Sequence, residues 1–165
     1  MVTFNVAYTA PINKAGATPT LTQSQVWEGL KLKVKRAQDF VPVITGCQVI
    51  SEETLPSGDL QVTREVQFAP TNGGSAKSVK EVCVHYAPCR VTFQQEDGSS
   101  VMNVISTRPD GELLLSYIFE WRHPDVSAGT EKASQLEAAH WEVAKVAVES
   151  SIDNIRRLVA EGKIQ

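Results

Sequence analysis

Six short β-rich runs between Ile44 and Trp121, followed by one long stretch without glycine or proline from Thr130 to Glu161, leave this chain few ways to fold. The runs are cut by Pro56-Ser57-Gly58-Asp59, Thr71-Asn72-Gly73-Gly74, Ala87-Pro88, Asp97-Gly98 and Pro109-Asp110-Gly111. Each segment combines residues that preset φ or tolerate positive φ, so each reads as a turn between antiparallel strands. The long stretch repeats Leu136, Val143, Ala147, Ile155 and Leu158 at helical spacing. These mark the buried stripe of a helix about 45 Å long at roughly 1.5 Å per residue.

The N-terminal part adds a strand and two short helices. Val2 to Tyr8 reads as a first strand and Pro11 to Pro19 as a loop. In Leu21-Thr22-Gln23-Ser24-Gln25-Val26, Thr22 is placed to cap the Gln25 amide while Gln25 reaches back, and Leu21 to staple onto Val26. Val26, Leu30 and Val34 then hold one face with Trp27 alongside, and a second short turn through Gln38 to Phe40 ends at Pro42. The expectation is an α+β fold in which a seven-stranded antiparallel sheet curls around the long C-terminal helix. The early helix pair closes one end of the groove. A curled sheet packed on a cylinder rarely fills completely, which predicts a small-molecule cavity between them.

Composition limits the partners. The 165 residues are read as one domain, residues 1–165, with an ordinary 42% hydrophobic and 21% charged balance. The apolar run Leu113 to Phe119 falls far short of the roughly 20 residues that span a bilayer. The start, Met1-Val2-Thr3-Phe4-Asn5-Val6, lacks a secretory pattern, so the cytoplasm is the expected compartment. Cys47, Cys83 and Cys89 form neither an even set nor a C-x-x-C pair and are expected to be reduced thiols. A net charge of -3 with scattered Lys and Arg offers no stripe for nucleic acid.

Several segments together resemble a known family. They are Leu21-Thr22 with Val26-Trp27-Glu28-Gly29-Leu30, Phe40-Val41-Pro42, Val91-Thr92-Phe93, Val101 to Ser106, and Phe119-Glu120-Trp121-Arg122-His123-Pro124. Over nearly its whole length the chain is similar to the AtaL-like branch of the START and birch-pollen-allergen superfamily, also called SRPBCC. The resemblance implies a helix-grip fold with a hydrophobic tunnel, and relatives encoded in fungal secondary-metabolite clusters. It does not supply a reaction, because the superfamily spans lipid carriers, hormone receptors, polyketide cyclases and condensing enzymes.

Strand alternation nominates the side chains that face the cavity. In the last strand Leu113, Leu115, Tyr117, Phe119 and Trp121 share the inner face. The Arg108-Pro109-Asp110-Gly111-Glu112 turn pairs Arg108 with Glu112 and sets Asn103 opposite Tyr117. Those two groups either orient a ligand carbonyl or phenol, or satisfy each other in the core. In the third strand, Leu60, Val62, Val66 and Phe68 define an apolar face that also carries Arg64. An inward guanidinium needs a carboxylate, water or an anionic ligand group. Pairing Phe68 with Lys77 places Glu81 opposite Arg64, whereas a register one residue different places Lys80 or Val82 there. The ion pair is either structural or part of the site.

His140 falls on or beside the long helix's stripe, as a cavity acid-base group or a satisfied boundary residue. His123 reads as a surface or turn residue. Cys83, His85 and Cys89 lack a fourth partner at zinc spacing, so no metal is expected. With no dinucleotide fingerprint, phosphate loop or nucleophile elbow, no cofactor is expected either. These residues suit a cofactor-independent cavity enzyme, and the resemblance implies secondary metabolism and a small apolar, polyketide- or peptide-derived metabolite. Arg64, Glu81, Tyr117 and His140 are the candidate catalytic groups, and Asn103, Leu115, Phe119 and Trp121 the candidate ligand contacts. The step would be cyclisation, dehydration or isomerisation. The same pocket also suits a carrier or sensor, and an interaction module would instead expect a collapsed groove.

Overall fold

Helix α1 (Gln23–Lys35) starts where its capping box places it. Thr22 Oγ1 accepts from the Gln25 amide at 3.2 Å, and the Thr22 amide donates to Gln25 Oε1 at 3.0 Å. Leu21 and Val26 are both buried in the main core, consistent with a staple that fixes the chain's entry. A 3-10 turn (Ala37–Asp39) follows, the second of the short helices expected. These elements belong to a computed structural model that describes residues 1–70 and 75–165. The expected Thr71-Asn72-Gly73-Gly74 turn lies outside the described residues.

The strands are β1 (Val2–Pro11), β2 (Ile44–Thr54), β3 (Leu60–Phe68), β4 (Lys77–Tyr86), β5 (Arg90–Gln95), β6 (Ser100–Thr107) and β7 (Leu113–His123). They form one antiparallel sheet ordered β1-β7-β6-β5-β4-β3-β2, a meander closed on one side by the first strand. Irregularities between Ile44 and Gly46 and between Val49 and Ser51 lie in β2, where extra residues increase twist and help the sheet curl. In the β6–β7 hairpin the Arg108 amide bonds the Glu112 carbonyl at 2.9 Å, and Gly111 takes φ 87°. That turn sets Asn103 against Tyr117 as the sequence predicts. Phe68 pairs with Lys77 and Arg64 with Glu81, which resolves the open register in favour of the opposite charges. Lys77 itself is exposed at the loop end.

Helix α2 (Glu131–Ala160) lies across the concave face, capped by Thr130 Oγ1 on the Ala133 amide. Beyond its end Gly162 adopts φ 70°, and the Lys163 amide returns to the Leu158 carbonyl at 2.9 Å. This is the helix-grip fold, α+β with seven strands. The buried stripe differs in phase from the expected one. Ala147, Ile155 and Leu158 are buried with Ala144, Val148, Ser151 and Ile152, whereas Leu136 is half-buried on a separate small cluster and Val143 is 44% exposed. Small residues let either neighbouring face pack, and the sheet selects the one centred on Ala144, Val148 and Ile155. Helices α1 and α2 touch at Gly29, where an added Cβ would lie 2.7 Å from Ile155 Cδ1. Among the described residues no helix is long and apolar enough to cross a membrane.

Candidate functional site

The inner face of α1 does not stay apolar. Three residues after Leu30 comes Lys33, which is only 6% exposed. Its Nζ donates to Asn103 Oδ1 at 2.9 Å and lies 4.1 Å from the centre of the Tyr117 ring and 5.4 Å from that of Phe93. Burial, reinforced by the nearby Arg64 charge, lowers the Lys33 amine from its ordinary 10.5 to about 7, although Glu81 and Cys83 oppose the shift.

Arg64 and Glu81 meet beside it. Arg64 Nε and Nη2 both donate to Glu81 Oε2, at 2.9 and 2.6 Å, while Gln95 Nε2 donates to Glu81 Oε1 at 3.0 Å. Arg64 Nη1 donates to the carbonyls of Lys33 and Val34 at 2.9 and 2.8 Å. These carbonyls belong to the last turn of α1, where a helix runs out of its own donors. The guanidinium therefore joins the sheet to the helix end and fixes the backbone from which Lys33 projects. Its geometry makes it a positioning group as well as an ion-pair partner.

The polar groups lie in a cavity of about 140 Å³ between sheet and helix. Lys33, Arg64, Glu81, Gln95 and Tyr117 form its polar side, and Phe93, Val101, Phe119 and Trp121 its apolar wall. Val43 and Val143, 42% and 44% exposed, lie at its rim with Val41 and Phe68. Val143 thus leaves the helix's packed stripe and joins the cavity mouth. Tyr117 and Asn103 do not satisfy each other. Asn103 Oδ1 serves Lys33, and among the described residues Asn103 Nδ2 and the Tyr117 hydroxyl are buried without a hydrogen-bond partner. Burial pushes the Tyr117 phenol well above its ordinary range, with the neighbouring Ser151 opposing. The Ser151 hydroxyl donates instead to the Ala147 carbonyl at 2.7 Å. Tyr117 is therefore a proton donor throughout the neutral range.

The remaining nominated residues lie elsewhere. Leu115 and Asn103 are fully buried and neither lines the cavity. His140 does not line the cavity. It stacks on the Trp121 ring at 4.0 Å, and its Nε2 lies 2.8 Å from His123 Nε2. Trp121 stacks in turn on Phe119 at 4.3 Å. His123 is therefore half of a histidine pair rather than a plain turn residue, and the pair braces the cavity's aromatic wall from behind. Burial, with His123 adding to it, holds His140 at about 4. His85 is buried with Nδ1 3.1 Å from the Leu60 carbonyl, and burial pushes the Cys83 thiol up to about 12. Among the described residues no group of three or more candidate ligands could hold a metal ion.

Lys33 was not among the residues nominated from sequence, yet its spacing carried the signal. It lies seven residues after Val26 and three after Leu30, on the face those two residues bury. A lysine on that stripe is a buried cation to be explained, not a solvated one.

Comparison with known proteins agrees with this architecture. The Zhui aromatase/cyclase from Streptomyces sp. R1128 superposes with a TM-score of 0.65 over 96% of each chain at 16% identity. The di-domain ARO/CYC BexL from the BE-7585A biosynthetic pathway gives 0.63 at 13% identity, over 94% of this chain and 49% of its own. At that identity the likeness is one of fold. In sequence, the acetylaranotin biosynthesis cluster protein L of Aspergillus terreus (strain NIH 2624) is 28% identical over 165 residues, covering 99% of this chain and 94% of the relative. The model of the family described as acetylaranotin biosynthesis cluster protein L matches residues 6–162, and the chain belongs to that family.

Proposed function

We propose that this chain encloses a small, largely apolar metabolite between sheet and α2 and converts it without a cofactor, by orienting it and moving protons. The observation that carries this reading is a cavity lining in which aromatic rings are interleaved with buried polar groups, Tyr117 among them without a partner. The Tyr117 hydroxyl, on the cavity lining and beside a buried amine, has no partner among the described residues and is available to a bound molecule. A lysine near neutrality accepts or gives a proton at little cost, and the Tyr117 phenol donates to a developing oxyanion. Arg64 and Glu81 hold this arrangement and exclude a wandering charge. The relative's membership of a biosynthesis cluster and the aromatase/cyclase fold neighbours support cyclisation, dehydration or isomerisation of a polyketide- or peptide-derived intermediate.

Single-turnover incubation with such intermediates tests this reading. Product is expected from the wild type, reduced about 10²-fold or more in Tyr117→Phe or Lys33→Met. Turnover indifferent to both substitutions would remove these residues from the mechanism. A second reading, a carrier of an apolar molecule, draws on the apolar rim of Val41, Val43, Phe68 and Val143. It expects tight binding and no product under the same conditions.

A further inference from the structure

We infer that Lys33 is a covalent site, its amine forming a Schiff base with an aldehyde or ketone on an apolar skeleton. The inference rests on the reading that the cavity receives the metabolite, and it names that metabolite's reactive group. Three observations carry it.

Lys33 is buried without a counter-ion. Among the described residues the Nζ makes one hydrogen bond, to a neutral amide oxygen. The nearby carboxylate is already committed, Glu81 Oε2 to Arg64 and Oε1 to Gln95. A lysine serving only structure would be paired or would extend its head to water. This one borders the cavity instead.

The cation nearest to it is fixed. Arg64 is held by Glu81 and by two α1 carbonyls, so its charge stays beside the amine and disfavours a second positive charge. Desolvation together with a neighbouring cation turns a lysine into a nucleophile at neutral pH. Burial is the main cause of the lowered amine pKa; Arg64 adds to it, and Glu81 and Cys83, the other charged and titratable groups that act on it, oppose it. Cys83, the other buried nucleophile here, is held as a neutral thiol.

The surroundings fit the reaction. The Lys33 nitrogen lone pair attacks the carbonyl carbon, a C–N bond forms, and the C=O π pair moves to oxygen. That oxygen takes up the proton shed by nitrogen. With a second proton, returned when the nitrogen lone pair closes the C=N bond and the iminium deprotonates, it departs as water. Amine plus carbonyl gives imine plus water, with no change in oxidation state. Tyr117, which lines the cavity, has its ring centre 4.1 Å from the Nζ and keeps its phenol protonated, so it is the donor for the oxygen. The aromatic rings of Phe93 and Tyr117 flank the iminium cation that precedes this deprotonation.

The test uses 2-naphthaldehyde with borohydride reduction, and 2-naphthylmethanol as a matched probe without a carbonyl. Intact mass and peptide mapping should locate one naphthylmethyl group on Lys33, forming at least about 10-fold faster than on any of the eight other lysines. Labelling should rise with pH through neutrality and vanish in Lys33→Met, with circular dichroism confirming that the variant folds. Lys33→Arg, which keeps the charge, should also abolish it. Labelling spread over exposed lysines overturns the inference. So does stabilisation of the fold by the alcohol with no trapping of the aldehyde at Lys33, an outcome that leaves the cavity reading standing. If neither probe binds, both readings fall.

Discussion

The Nζ of Lys33, on the first helix, donates to Oδ1 of Asn103 on the sixth strand at 2.9 Å, across 70 residues of sequence. That bond anchors the amine at the cavity's edge, and the fold strongly shifts the protonation of its donor. Lys33 sits at about 7 when folded, against an ordinary 10.5. Between those values the unfolded chain holds a proton that the folded chain has lost, so stability rises with pH by up to about 1.4 kcal/mol per unit. Below about 7 both states are protonated and the whole cost of the buried charge is present. Urea denaturation of wild type and Lys33→Met from about pH 6 to about pH 9.5 should therefore show a rising difference in favour of the wild type. A constant difference would mean that the amine titrates normally.

Arg64 should prove more costly to remove than any surface charge. Arg64→Ala leaves Glu81 buried without its partner and strips two α1 carbonyls of their donor. The expected loss is roughly 3–5 kcal/mol in chemical denaturation. Replacing both members, as Arg64→Met with Glu81→Leu, should cost clearly less than the sum of the single changes. Additive losses would show that the pair is not coupled.

The histidine pair predicts acid sensitivity. His123 and His140 are both held below their ordinary pKa of 6.5, chiefly by burial, with His140 at about 4. The unfolded chain takes up their protons first, so stability conferred by the neutral pair is present above about 6.5 and is lost as pH falls toward about 4. Because both rings are partly exposed, the change should be modest, about 1 kcal/mol. His140→Phe keeps a ring against Trp121 and should flatten the slope between those values. An unchanged slope would assign the acid loss to other groups.

Gly29→Ala tests the contact between the helices. Alanine is the better helix former by about 1 kcal/mol. Here its Cβ would run into Ile155, which is fully buried and branched at Cβ. The substitution should therefore destabilise by about 1–3 kcal/mol, against its propensity. Equal or higher stability would mean that α1 can shift away from α2 without loss.

Much of this arrangement is written in short-range chemistry. The capping box at Thr22 started α1, and the turn at Gly111, counted outward from Arg108 and Glu112, placed Asn103 opposite Tyr117. Charge complementarity selected Glu81 for Arg64. What escaped were features set by packing between distant elements. Lys33 differs from Lys31 and Lys35, which reach carboxylates on the surface, by its place on the face of Val26 and Leu30, and its depth under the sheet is set by tertiary packing. Of the expected α2 stripe, Ala147, Ile155 and Leu158 are buried, whereas at the turn of Val143 the sheet packs on Ala144 and Val148 instead. The His123–His140 pair joins a strand end to a helix through space, which no local pattern records.

The central claim, that this cavity holds an apolar small molecule, is tested most directly by native mass spectrometry of the protein isolated from its own host. Wild type should be compared with Ala147→Phe, a substitution on the cavity lining that fills it. One small molecule is expected per wild-type chain and none on the filled variant. A wild type without ligand, or equal occupancy in both proteins, would contradict it.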